Sequence, residues 1–151
     1  MTKNMTKPKL KIGAMVFLMK SSKLYTNNIA ELKKYTIIAI VYMSKGLISA
    51  ESNGTSDPFV KLTLDGKEKS TSVKNNTMNG VWNEKLEFKD VLMDFNDRST
   101  WPIFKLNVFD YNQLKSNVPL GYNYVWLCNA GYAINDTKLC QPKWHNLFLP
   151  K

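Results

Sequence analysis

The stretch Phe59-Val60-Lys61-Leu62-Thr63-Leu64, followed at once by Asp65-Gly66, constrains the fold more than any other feature of the chain. Its alternation places Val60, Leu62 and Leu64 on one face and Phe59, Lys61 and Thr63 on the other, the period-two pattern of a strand. Asp-Gly is the chemistry of a two-residue hairpin turn in which both central residues take positive φ. The chain therefore reverses after Leu64, and Lys69–Val73 returns beside it. The same rhythm recurs at Leu10–Met19, Tyr35–Met43, Trp82–Phe88, Ile103–Phe109, Tyr122–Leu127 and Trp144–Leu149, giving eight short apolar segments separated by turn residues. That is the signature of an all-β sandwich. Trp82, Leu86 and Phe88 are expected inward, with Asn83, Lys85 and Glu87 outward. Tyr35–Met43 is apolar on both faces, as a central strand is. Ser21–Lys34 reads as a polar connector holding one helical turn around Ile29–Leu32. No internal repeat interrupts the pattern.

A chain of 151 residues suits one domain large enough to bury a core without disulfides or a structural metal. Residues 1–9 are polar and basic and read as a flexible arm, leaving 10–151 as a single domain. The longest apolar runs, 12–19 and 37–43, fall far short of the roughly 20 residues that span a bilayer. The first lies too deep in the chain, and lacks the small-residue cleavage site, to read as a signal peptide. A cytoplasmic domain is the expectation. Cys128 and Cys140 read as two free thiols rather than a disulfide, and nothing resembles a zinc-ligand spacing. The net charge is +9, from 21 basic against 12 acidic residues, and every basic residue except Arg98 is lysine. Lysine excess suits diffuse attraction to anionic headgroups, at about 1 kcal/mol per lysine, or simple solvation. Sequence-reading nucleic-acid binders lean instead on arginine's bidentate fork.

One run is more specific. Ser52-Asn53-Gly54-Thr55-Ser56-Asp57-Pro58-Phe59-Val60-Lys61-Leu62 resembles the "NGxSDPYVKL" signature of the C2 domain, a calcium- and phospholipid-binding sandwich. Thr77-Met78-Asn79-Gly80-Val81-Trp82-Asn83-Glu84-Lys85-Leu86-Glu87-Phe88 is similar to that family's "TxNPxWNExFxF". Val108-Phe109-Asp110-Tyr111-Asn112, Leu120-Gly121 and Trp144-His145-Asn146-Leu147 continue the likeness, which runs from about Tyr35 to Leu149. It implies an eight-stranded antiparallel β-sandwich of the C2 Greek-key type. Leu10–Met19 resembles the extra leading strand of the synaptotagmin-like topology.

The resemblance also implies sites. The family's five acidic calcium ligands fall here on Glu51, Asp57, Asp110, Asn112 and Val118, with Asn117 beside the last. Calcium takes six to eight oxygens, and carboxylate count tunes its affinity. Three carboxylates imply at most one calcium, weakly held; Asp57 and Asp110 equally read as loop-shaping residues without metal. The family's headgroup-binding lysine cluster is thinned. Lys61 keeps one position, Thr63, Ser70 and Ser72 replace others, and Lys67, Lys69 and Lys74 flank it. Lys3, Lys7, Lys9 and Lys11 add a basic arm of undetermined place. Leu114 falls where related domains push an apolar side chain into lipid, with Tyr111 and Val118 near it.

These readings converge on a peripheral membrane-targeting module that binds anionic phospholipid, monomeric, in trafficking or signalling. The alternative is a calcium-independent protein-docking C2 module. An enzyme is disfavoured: His145 is the single histidine, and no nucleophile elbow, phosphate loop or His-Glu-x-x-His is present. Nucleic acid is not expected as a partner, since the aromatics follow core-strand periods rather than forming a stacking platform.

Overall fold

Leu10, Ile12, Ala14 and Val16 are all buried, so alternate residues of the first strand form one apolar face of the core. The computed structural model describes residues 7–18, 32–130, 132–134 and 141–151. Within them the chain forms β1 (Lys9–Leu18), β2 (Lys33–Lys45), β3 (Pro58–Leu64), β4 (Lys67–Ser70), β5 (Val81–Met93), β6 (Ile103–Asp110), β7 (Val118–Trp126), β8 (Tyr132–Ile134) and β9 (Lys143–Asn146). Single 3-10 turns at Arg98–Thr100 and Leu127–Asn129 complete the described elements. The expected connector and its helical turn lie, up to residue 31, outside the described residues, as does Cys140. Cys128 is a half-buried free thiol.

Two sheets face each other. One runs β4-β3-β6-β7. The other runs β5-β2-β1, and the place beyond β1 is shared, β9 pairing antiparallel with Lys9–Ile12 and β8 pairing parallel with Ala14–Val16. Each sheet is thus four strands wide, and the chain is the expected all-β sandwich with its leading strand in place. The short parallel pair is an addition to the expected antiparallel order. Strand β1 begins at Lys9, and the Leu147 N–H donates to the Pro8 carbonyl at 2.8 Å. Residues 8 and 9 therefore belong to the sandwich, not to an arm ending at residue 9.

The turn after β3 forms as its chemistry requires, with φ of 50° at Asp65 and 72° at Gly66. β5 departs from expectation by running to Met93 rather than stopping at Phe88. Its register against β2 slips twice, at Asn83 and at Asp90, both with positive φ. Each slip is a bulge, and asparagine and aspartate tolerate the left-handed conformation better than other side chains. The second bulge shifts the alternation by one residue. Val91 and Met93 thereby join Phe88 in the core.

Candidate lipid-facing rim

Strand β2 feeds loop 46–57, which leads into β3, and β6 feeds loop 111–117, which leads into β7. Pro58 is paired with Asp110, so the two loops emerge at the same end of the sandwich. Loop 46–57 is held from within. Ser56, fully buried, donates its hydroxyl to the Ile48 carbonyl at 2.9 Å and accepts the Ala50 N–H at 3.0 Å. The Ala50 and Glu51 N–H groups both donate to the Thr55 carbonyl.

Asp110 joins the loops. Only 3% exposed, it accepts the Asp57 N–H through Oδ1 at 2.6 Å, while the Tyr111 N–H donates to the Asp57 carbonyl at 2.9 Å. Asp57 in turn accepts the Asn76 N–H at 2.7 Å, which ties in a third loop. Burial pushes the Asp110 carboxyl above the ordinary aspartate value; the Asp57 N–H opposes that rise, and the charges of Glu51 and Asp57 add to it.

Glu51, Asp57 and Asp110 thus share one neighbourhood, and their oxygens also serve the loops that carry them. Glu51 Oε2 accepts from Thr55 Oγ1 at 3.1 Å and from Asn53 Nδ2 at 3.2 Å. Asn112 Oδ1 accepts the Leu114 and Lys115 N–H groups, both at 3.1 Å, and Asn117 Oδ1 accepts the Asn112 N–H at 3.0 Å. Among the described residues no three acidic, histidine or cysteine side chains stand together as metal ligands. Val118 supplies no oxygen. Glu51, Asp57, Asp110 and Asn112 each accept hydrogen bonds within or between the loops, so these oxygens also brace the rim. Ser56, Asn112 and Asn117 were not read as braces from sequence, although local side-chain-to-backbone bonding is the usual business of these residues in turns.

The apolar positions stand clear of the sandwich. Leu114 is 92% exposed, and Tyr111 and Val118 are exposed beside it.

The expected lysine cluster is split. Lys61 is paired with Ser70, so Lys69 and Lys67 fall opposite Leu62 and Leu64 and take the core-side face at the sheet edge, away from Lys61. The reason is parity: partners across an antiparallel ladder share a face, and successive residues do not. Lys61 lies 3.4 Å from Glu68, Lys67 4.0 Å from Asp65 and Lys74 3.9 Å from Glu84. Lys67 also donates to the Lys89 and Asp90 carbonyls across the open edge of the sandwich. Its ammonium group fastens β4 to β5. His145 is half-buried, and burial followed by the charge of Lys143 lowers its pKa.

Comparison with known proteins decides the family: residues 36–147 match the family model described as C2 domain. The chain belongs to the C2 domain family. This C2 domain is 30% identical to human synaptotagmin-5 over 126 residues, which cover 76% of the chain and 32% of that protein. Against synaptotagmin-3 of Arabidopsis thaliana it is 32% identical over 88 residues, 56% of the chain and 15% of that protein. Against mouse Fer-1-like protein 4 it is 29% identical over 94 residues, 60% of the chain and 5% of that protein. The C2 domain therefore spans no more than about a third of these relatives. Among solved structures, a C2 domain of RIM from Drosophila superposes with a TM-score of 0.64 at 14% identity, covering 94% of this chain and 98% of that one. At that identity the likeness speaks for the fold. Among the described residues no helix is long and apolar enough to cross a membrane.

Proposed function

We propose that this C2 domain is a peripheral membrane-targeting module that docks on anionic phospholipid through the rim formed by loops 46–57 and 111–117. One observation carries the reading: Leu114, 92% exposed, stands at the tip of a loop that Asn112 and Asn117 brace from inside. An exposed leucine on a braced loop loses little conformational freedom on insertion, and burying its side chain is worth roughly 1.5–3 kcal/mol. Tyr111 and Val118 widen the apolar contact, and a net charge of +9 draws the domain toward an anionic surface. Docking on this reading draws on apolar insertion and charge, not on calcium, and it places the domain at the cytoplasmic face of a membrane.

A second reading, a protein-docking module, is favoured by the outer face of the β4-β3-β6-β7 sheet. There Tyr122 lies 5.7 Å from Phe148 and 6.3 Å from Tyr124, ring to ring, and Tyr124 and Phe148 are exposed.

Vesicle co-sedimentation in EDTA, with and without phosphatidylserine, separates the two. Phosphatidylserine-dependent pelleting that weakens as salt rises is expected, and Leu114→Asp should reduce it at least tenfold. Pelleting indifferent to phosphatidylserine at low salt removes the membrane reading and leaves protein docking.

A further inference from the structure

One row of side chains crosses the outer face of the β5-β2-β1 sheet. Trp144 on β9 stands opposite Lys11 on β1, Lys11 opposite Met43 on β2, and Met43 opposite Val81 on β5. Directly opposed partners in antiparallel strands project to the same face, roughly 4.5–5.5 Å apart. Leu10 and Ile12 are buried, so Lys11 between them points away from the core. In the neighbouring row Lys9 stands opposite Lys45.

Trp144 is 39% exposed and Val81 is exposed at the other end of the row. The Lys45 ammonium lies 5.4 Å and the Lys11 ammonium 5.8 Å from the Trp144 ring. Among the described residues no carboxylate pairs with Lys9, Lys11 or Lys45. Among the described residues these three lysines thus lack the carboxylate partners that Lys61, Lys67 and Lys74 have. Strand β2 passes from Lys45 directly into loop 46–57, so this patch adjoins the rim.

We propose that this face is a second docking surface for an anionic bilayer, with the Trp144 indole in the headgroup layer and Lys9, Lys11 and Lys45 on the lipid anions. The chemistry is that of a two-phase partner. Indole settles at the boundary between water and hydrocarbon, and lysine stems lie along apolar surface with the ammonium in the polar layer. A soluble polyanion would engage the lysines but offer no apolar layer to Trp144, Met43 and Val81. Docking by rim and patch together tilts the sandwich so that this sheet leans on the membrane. The inference rests on the membrane-docking reading above.

The test uses vesicles of phosphatidylcholine with and without phosphatidylserine and, in parallel, vesicles containing brominated phosphatidylcholine, which quench inserted indoles. Lys11→Gln with Lys45→Gln should weaken binding to the phosphatidylserine vesicles about thirtyfold at low salt, from about 1 kcal/mol per lysine, with an unchanged melting temperature. Trp144→Phe should remove most of the bromolipid quenching, whereas Trp126→Phe should keep it. A double lysine variant that binds like the parent while Leu114→Asp does not overturns the patch and leaves the rim standing. Quenching that persists in Trp144→Phe overturns the patch whatever the lysines do. Absence of phosphatidylserine-dependent binding by the parent chain overturns rim and patch together.

Discussion

Replacing Gly121 with alanine tests how the end of the sandwich is held. A Cβ at that position would sit 2.9 Å from Leu147 Cβ, 3.3 Å from Leu147 Cδ1 and 3.4 Å from the Phe148 carbonyl oxygen. Rotating the leucine relieves only the second of these contacts, because its Cβ moves with the backbone. That backbone is pinned: Leu147 N–H donates to Pro8 at 2.8 Å, and Tyr122 and Phe148 exchange bonds of 2.9 and 2.7 Å. Overpacking of this kind costs about 1–3 kcal/mol. Against it, alanine restricts the unfolded chain and returns about 0.4–1 kcal/mol. At mid-range of both terms the net loss is about 1.3 kcal/mol, a fall of roughly 3–5 °C in melting temperature for a domain of this size. Thermal unfolding followed by circular dichroism measures it, and a double-mutant cycle identifies the cause. In a Leu147→Gly background the same substitution should cost almost nothing, whereas in Leu147→Ala the close Cβ pair remains and so should the penalty. An unchanged melting temperature for Gly121→Ala, or a penalty that survives Leu147→Gly, would refute the reasoning.

Two further expectations follow from Asp110 and from the second β5 bulge. Because the Asp110 carboxyl is raised in the fold, the native state binds more protons than the unfolded chain between the unfolded and folded pKa values, and this contribution to stability is lost as pH rises through the folded value. The stability of the parent relative to Asp110→Asn should therefore increase as pH falls from neutral toward the ordinary aspartate range. Urea melts across that window check it, and a flat or opposite difference rules it out. The comparison with the variant matters because His145, lowered by burial, acts with the opposite sign. At the second β5 bulge, Asp90→Gly should be tolerated, whereas Asp90→Val should lose about 1–2 kcal/mol, since φ is 56° there and β-branched residues avoid that region. Equal denaturant midpoints for the two variants would show that the bulge does not select its residue.

Much of the sandwich was legible because alternation is a local property. Val60, Leu62 and Leu64 announce an inward face by their spacing, and Asp65-Gly66 announces the turn by the backbone angles it accepts. β5 was read only to Phe88 because its bulge at Asp90 breaks the period, and a broken period looks like the end of a strand. The loop residues were harder. Glu51, Asp57, Asp110 and Asn112 were found as a group from the family signature, but residue type does not say which lone pairs the loop itself consumes. In Asn112 the oxygen is taken by two backbone N–H groups three residues or fewer away.

The amino-acid order determined the class of fold, and its likeness to the family grouped Asp57 with Asp110 and set Leu114 in a loop. The first follows from periodicity and turn chemistry, carried by neighbours in the chain, and the rest from the family signature. The tertiary structure alone decided that Lys61 is parted from Lys67 and Lys69, and that Lys11, Lys45 and Trp144 meet. Facing across a sheet depends on register between strands distant in sequence, and a shift of one residue would turn each of those side chains to the other side.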